Sequence, residues 1–397
     1  MRKPRVLFVD DEPRILDGLR RSLRGKRGEW EMSFVTSGAE ALRALRDTPH
    51  DVVVSDMRMP GMDGAELLTH VSRRHPEVAR VVLSGHTEPE AAIKVAVAGH
   101  RFLTKPSDPE SVVTVIEQLL VLTSGTHPAQ ARRIAGGVRS LPTLPAHVDR
   151  LSALLRDPEV ELSSAIRAAS HDVGLTAKLL QLSNSAFFGA RARGVSMDSV
   201  VNAVGLPTVQ ALFSAGQLLW SSTEWRPEAE GHLGIAWRHA VATACLVGSI
   251  ASPANRPHAQ AAALLQDVGR FVCLAGQQDD DWGPALDPAA TVCGGVPYRD
   301  VGVELLHLWG LPRPVVTAVA ERDVPHRVAA AGLGVTGAVR AAHLLLQDTE
   351  SRDPSVGSHA DELALILAHP QLTAQPVDYW SMAAVEASER AGRCVRT

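Results

Sequence analysis

The chain has 397 residues, 45% of them hydrophobic and 21% charged, and carries a formal net charge of −4. That length predicts two or three domains, and the composition excludes wholesale disorder. A slightly acidic balance gives no electrostatic case for binding nucleic acid, because duplex binders usually display a basic face.

The basic residues are dominated by Arg; the lysines are Lys3, Lys26, Lys94, Lys105 and Lys178. Cys245, Cys273, Cys293 and Cys394 form no C-x-x-C pair, which argues against a zinc ribbon, a redox motif or a disulfide framework. The apolar run after Arg5 is too short for a signal peptide. The longest apolar stretch, around 240–251, is about a dozen residues and too short to span a bilayer. We therefore expect a cytoplasmic protein with no membrane contact.

From residue 5 to about 122, short β-branched runs alternate with amphipathic segments of helical length. The runs are 6–9, 32–35, 52–54, 81–83 and 101–103; the helical segments are 13–24, 39–46, 65–74, 88–97 and 110–122. Five strands, each followed by a helix, predict a doubly wound α/β domain with a parallel sheet. Ligands of such sheets sit at the carboxyl ends of strands, where strand order reverses. Asp10-Asp11-Glu12 closes the first run and Asp56 the third.

Four phrases then carry a resemblance: Val9-Asp-Asp-Glu-Pro13, the run from Val54 through Asp56 and Arg58 to Gly64, Leu83-Ser84-Gly85, and Phe102-Leu-Thr-Lys-Pro106. In order and placement they resemble the receiver domain of two-component response regulators. The resemblance implies Asp56 as phosphoacceptor for a sensor histidine kinase. It makes Asp10 and Asp11 the acidic pocket, Ser84 the hydroxyl position, Lys105 the invariant lysine and Phe102 the aromatic switch. It also implies a cis bond before Pro106. The chemistry asks for the same set independently. A carboxylate attacks phosphorus poorly until charge on the phosphoryl oxygens is neutralised. Asp11 and Asp56, with the Arg58 carbonyl and indirect help from Asp10, offer hard oxygens to Mg²⁺.

Residues 123–137 are polar, contain glycine and are weakly periodic, which reads as a linker with some helix at 129–134. Beyond them strand signals almost vanish. Helical spacing recurs over 147–155, 163–169, 176–182, 207–219, 236–251, 259–274, 298–308 and 335–346, predicting an all-α domain. Phrases resembling the HDOD domain, a degenerate relative of HD-type metal phosphohydrolases, are Leu141-Pro-Thr-Leu-Pro145, Ser183-Asn-Ser-Ala-Phe-Phe-Gly189, Ala203-Val-Gly-Leu206, Trp237-Arg-His239, Leu264-Leu-Gln-Asp-Val-Gly269 and Trp309-Gly-Leu-Pro312. The expected domains are a receiver over 1–124, a linker over 125–137, an HDOD domain over 138–332 and its helical continuation over 333–397.

An active HD site needs a His, a His-Asp pair and a further Asp to hold ions that activate water. His239 matches the first. The pair falls at Gln266-Asp267, where an amide replaces His, and the last position offers His343. Tyr298 and Arg322-Asp323 stand where the family can hold His. This degenerate set predicts no metal and no catalysis by the helical domain. The literal His171-Asp172 dipeptide lies in a turn before a helix, so Asp172 is expected as a cap. Trp220, Trp225, Trp237 and Trp309 are expected in the core.

The primary expectation is a phosphorelay protein whose face about 88–122 changes contacts when Asp56 is modified, with the HDOD domain binding a protein partner and a homodimer left open. The rivals are residual metal-dependent phosphodiesterase activity, for instance on a cyclic dinucleotide, and cyclic-nucleotide binding without turnover.

Overall fold

The computed structural model describes residues 2–85, 99–105, 108–121, 128–157, 159–184, 195–214, 227–276, 292–324, 333–350 and 360–396. Five apolar segments pair as one parallel sheet: β1 (Arg5–Val9), β2 (Glu31–Val35), β3 (Val52–Asp56), β4 (Ala79–Ser84) and β5 (Arg101–Thr104). The order is β2-β1-β3-β4-β5. β3 and β4 are buried along their whole length, as strands covered on both faces must be. Each fully buried Val or Leu there is worth roughly 1.5–3 kcal/mol over exposure.

Among the described residues, this unit carries α-helices α1 (Pro13–Ser22), α2 (Gly38–Asp47), α3 (Gly64–Arg74) and α4 (Pro109–Leu120). Their starts are written locally. Ser37 accepts the Glu40 N–H, Asp63 that of Glu66, and Asp108 that of Ser111, each satisfying a donor that the first helical turn leaves open. The strand order reverses between β1 and β3, which brings the ends of both, with their acidic residues, to one edge. The helix expected at 88–97 and the bond to Pro106 lie outside the described residues.

The segment expected as a linker holds a helix, α5 (Pro128–Gly136), with Ala131, Arg132, Ile134, Ala135 and Gly136 buried. The helical domain continues with α6 (Pro145–Arg156), α7 (Leu162–Ser170), α8 (Val173–Ser183), α9 (Met197–Val204), α10 (Leu206–Ser214), α11 (Pro227–Ile250), α12 (Arg256–Leu265) and α13 (Val268–Gly276). A short hairpin, β6 (Val292–Cys293) and β7 (Val296–Pro297), leads to α14 (Tyr298–Leu308), α15 (Arg313–Ala320), α16 (Gly334–Glu350), α17 (Ala360–Leu367) and α18 (Val377–Arg396). The central α11 packs along α12, α16 and α18.

Two expectations need correction. The predicted helix 259–274 is broken at Gln266-Asp267, where Asp267 turns to meet Arg322. The apolar stretch near 240–251 belongs to a longer helix whose 230–250 portion is long and apolar enough to cross a membrane; 61% of its most apolar part is buried inside the protein, as in a core helix. Trp237 and Trp309 are buried, while Trp220 and Trp225 lie outside the described residues.

Candidate functional sites

At the edge of the parallel sheet, oxygens of Asp10, Asp11 and Asp56 all lie within 4.8 Å of one another. Among the described residues this is the one group of three such ligands. Asp10 and Asp56 are buried, and Asp11 is half-buried. Three carboxylates so close repel unless a cation stands among them. Lys105 supplies one: its Nζ is 2.7 Å from Asp10 Oδ2 and 2.8 Å from Asp56 Oδ1. Burial alone would lower the Lys105 pKa, but the hydrogen bonds and charges of Asp10 and Asp56 outweigh it and hold the ammonium above the usual lysine value.

The backbone is shaped to bring these groups together. Asp10 Oδ1 accepts the Glu12 N–H at 3.0 Å, fixing that carboxylate at the start of α1. A Cβ on Gly64 would collide with the Asp56 carbonyl, so only glycine lets α3 begin this close to the end of β3. Lys105 N–H donates to the Ser84 carbonyl at 2.8 Å, which ties the ends of β4 and β5 together. Ser84 is buried, Arg58 is exposed on the loop after β3, and Phe102 is buried beside Gly99 and Val82. Hard carboxylate oxygens grouped at the end of the sheet fit Mg²⁺, which takes one or two carboxylates and fills its other positions with water and phosphate.

The helical domain has a different centre. His239 of α11 and His343 of α16 meet with Nε2 and Nδ1 3.0 Å apart. Gln266 turns aside, its amide donating to Thr243 Oγ1 at 2.8 Å. Asp267 faces Arg322, whose Nη1 is 2.6 Å from Asp267 Oδ1 while Nε reaches Asp323 Oδ1 at 2.8 Å. Burial works against ionising Asp267, yet Arg322, with His239 and Arg270, holds that carboxyl well below the usual range. His343 is pushed down to about 3 by burial, with Arg322 and His239 adding to it, and is neutral at pH 7. The guanidinium thus supplies, from within the chain, the positive charge Asp267 requires. Arg322 was visible in the sequence as a departure from a His position, but its ion pairs were not. An Arg next to Asp, in a chain where Gln266-Asp267 stands at the expected His-Asp position, is the signal that could have shown them.

Asp172 is no part of this centre. It caps α8, accepting the Leu175 N–H at 2.7 Å.

A response regulator receiver model matches residues 6–117, and an HDOD model matches 141–325. The chain belongs to the response regulators. Hydrogenase transcriptional regulatory protein HoxA of Cupriavidus necator is 40% identical to it over 28% of this chain and 23% of HoxA. Transcriptional regulatory protein PrrA of Mycobacterium leprae is 31% identical over 45% of this chain and 77% of PrrA. A receiver domain crystal structure, from an HD domain-containing protein of Pseudomonas fluorescens Pf-5, is 29% identical over 30% of this chain and 88% of that one, with a TM-score of 0.29. This response regulator therefore spans about a quarter of the length of HoxA.

Proposed function

We propose that Asp56 accepts a phosphoryl group from a sensor histidine kinase and that this modification controls a non-catalytic HDOD domain. The observation that carries the reading is the Lys105 ammonium bridging Asp10 and Asp56 beside a third carboxylate. An Asp56 oxygen attacks the phosphorus as the donor's P–N bond breaks, and the leaving imidazole takes up a proton. Lys105 holds Asp56 in place and then faces the added phosphoryl oxygens, and the Ser84 hydroxyl offers them a hydrogen bond. Asp11, Asp56 and the Arg58 carbonyl, with indirect help from Asp10, would hold Mg²⁺, which would supply charge neutralisation. Phe102 is assigned the conformational switch.

The output segment, 138–397, then binds a downstream protein in the cytoplasm, without nucleic acid, membrane or chemistry of its own. The rival phosphodiesterase reading needs a divalent ion at Asp267, and Arg322 already provides the charge there. To test the reading, the full chain is incubated with acetyl phosphate and Mg²⁺ and followed by intact mass. The wild type gains one phosphoryl group and Asp56→Asn gains none; equal labelling of both would sink the assignment. Metal analysis separates the rival: stoichiometric iron, manganese or zinc that survives Asp11→Asn would restore it.

A further inference from the structure

A surface helix needs one apolar stripe, and α18 has two. Trp380, Ala384, Ala387 and Ala391, spaced four, three and four residues apart, are buried where the helix packs on α11 and α16. On the opposite face Tyr379, Met382 and Val385 stand 40%, 72% and 47% exposed. With Cys245, Leu246 and Ser249 of α11 they line a groove of about 520 Å³. Apolar side chains gathered in one exposed patch mark a surface that another molecule covers.

The charges on that face say which molecule. From the start of α18 to its end the exposed charged residues run Asp378, Glu386, Glu389, Arg390 and Arg393, acids first and bases last. Glu386 and Glu389 are matched within the helix, by Arg390 at 2.9 Å and Arg393 at 3.7 Å. Asp378 stands seven residues before Val385 and Arg393 eight after it, about 11 Å to either side along the helix. A two-fold axis beside Val385 therefore lays the helix antiparallel on its own copy, as a self-complementary surface requires. Asp378 then faces the partner's Arg393, and the Tyr379 ring comes beside the same guanidinium. Val385 meets its counterpart at the axis, and Met382 covers the stem of the partner's Glu389.

We propose that the α18 face around Met382 is the interface of a homodimer, formed by antiparallel pairing of two copies of this helix. The inference goes beyond the reading of Asp56 and does not rest on it, because the pairing needs no phosphoryl group. One helix face is smaller than the interface of a permanent assembly, so the association is reversible.

Sedimentation velocity of the full chain over a range of concentrations, with no phosphodonor present, tests it. The wild type is expected to pass from monomer to dimer as concentration rises. Met382→Glu should weaken association about ten-fold or more, as the loss of a central anchor does. Asp378→Arg and Arg393→Asp should each weaken it about five-fold, since symmetry sets like charges at both ends of the interface. An equimolar mixture of those two variants should associate more tightly than either alone, because each pair across the axis is again opposite in sign. A change confined to one chain gives no such rescue. A wild type that stays monomeric at every concentration, or a dimer indifferent to Met382→Glu, overturns the proposal and leaves the face to a different protein. A mixture no tighter than its two components overturns the antiparallel pairing.

Discussion

The receiver pocket and the HDOD centre gather the same kinds of residue and solve opposite problems. In the first, three carboxylates face one ammonium, and the surplus negative charge suits a divalent cation. In the second, Asp267 and Asp323 share the Arg322 guanidinium, with Arg270 3.9 Å from Asp267 and Arg299 3.6 Å from Asp323, so the chain's own arginines match the carboxylates. What separates the two centres is how much of the positive charge the chain itself provides.

The comparison is broken most forcefully by removing the internal cation. Arg322→Ala leaves the buried Asp267 carboxylate uncompensated, which costs about 3–5 kcal/mol when one partner of a buried pair is lost. Urea denaturation of the full chain should show this loss in the transition of the helical domain. Replacing Arg322 and Asp267 together by Leu should recover much of it, because the desolvated charge is then gone from both sides. A double variant as unstable as Arg322→Ala would mean that the pair is valued for its shape, not its charge.

The pocket predicts the reverse sensitivity. Asp11→Asn removes a hard oxygen from a site with a surplus of them, so folding should tolerate it while Mn²⁺ affinity, read by electron paramagnetic resonance, falls at least about ten-fold. Unchanged affinity would remove Asp11 from the ligand set.

How far these two regions could be read in the sequence follows from the range of their contacts. The parallel sheet announces itself locally: β-branched runs end in Asp10, Asp11 and Asp56, and the caps Asp63 and Asp108 precede their helices. Asp172 was legible as a cap for the same reason, since its partner is three residues away. The Arg322–Asp267 pair joins residues 55 apart and the bond from Arg101 to the Leu308 carbonyl spans 207, so neither leaves a periodic trace. α5 escaped as a full helix because its buried face is mostly Ala and Gly with a buried Arg, which gives a weak apolar stripe. The break at Gln266-Asp267 escaped because it coincides with a tertiary ion pair, which leaves no local signal.

Lys178 sharpens the contrast as a third arrangement of charge. It is fully buried, donates to the Arg139 carbonyl at 2.7 Å and lies 5.1 Å from the centre of the Trp309 ring. Burial, with Arg80 and Arg139 nearby, pulls its pKa from 10.5 down to about 7. Between those two values the unfolded chain binds a proton that the folded chain does not. Stability should therefore rise with pH across that window, by up to about 1.4 kcal/mol per unit. Lys105, with its raised pKa, contributes nothing to this slope, because its effect is lost only above the unfolded value. Urea midpoints compared between the wild type and a Lys178 variant over about pH 7.5 to 8.5 give its share by difference, because the Cys293 thiol, lowered by its bond to Cys273, adds a slope of the same sign. Lys178→Met should reduce the rise, and a slope unchanged by the substitution would assign it to another group.

The smallest effect falls on the dipeptide that imitates a metal motif. Asp172→Ala removes the side chain that accepts the Leu175 N–H and receives the Thr143 hydroxyl at 3.3 Å. Losing a helix cap costs about 1 kcal/mol. Asp172→Asn keeps an acceptor at the same place and should recover most of that loss. If the residue held a metal, the amide would be nearly as damaging as Ala, and chelator treatment of the wild type would reproduce the deficit. If it caps, chelator changes nothing and Asn restores the midpoint, because the helix needs an oxygen in that position and not a charge.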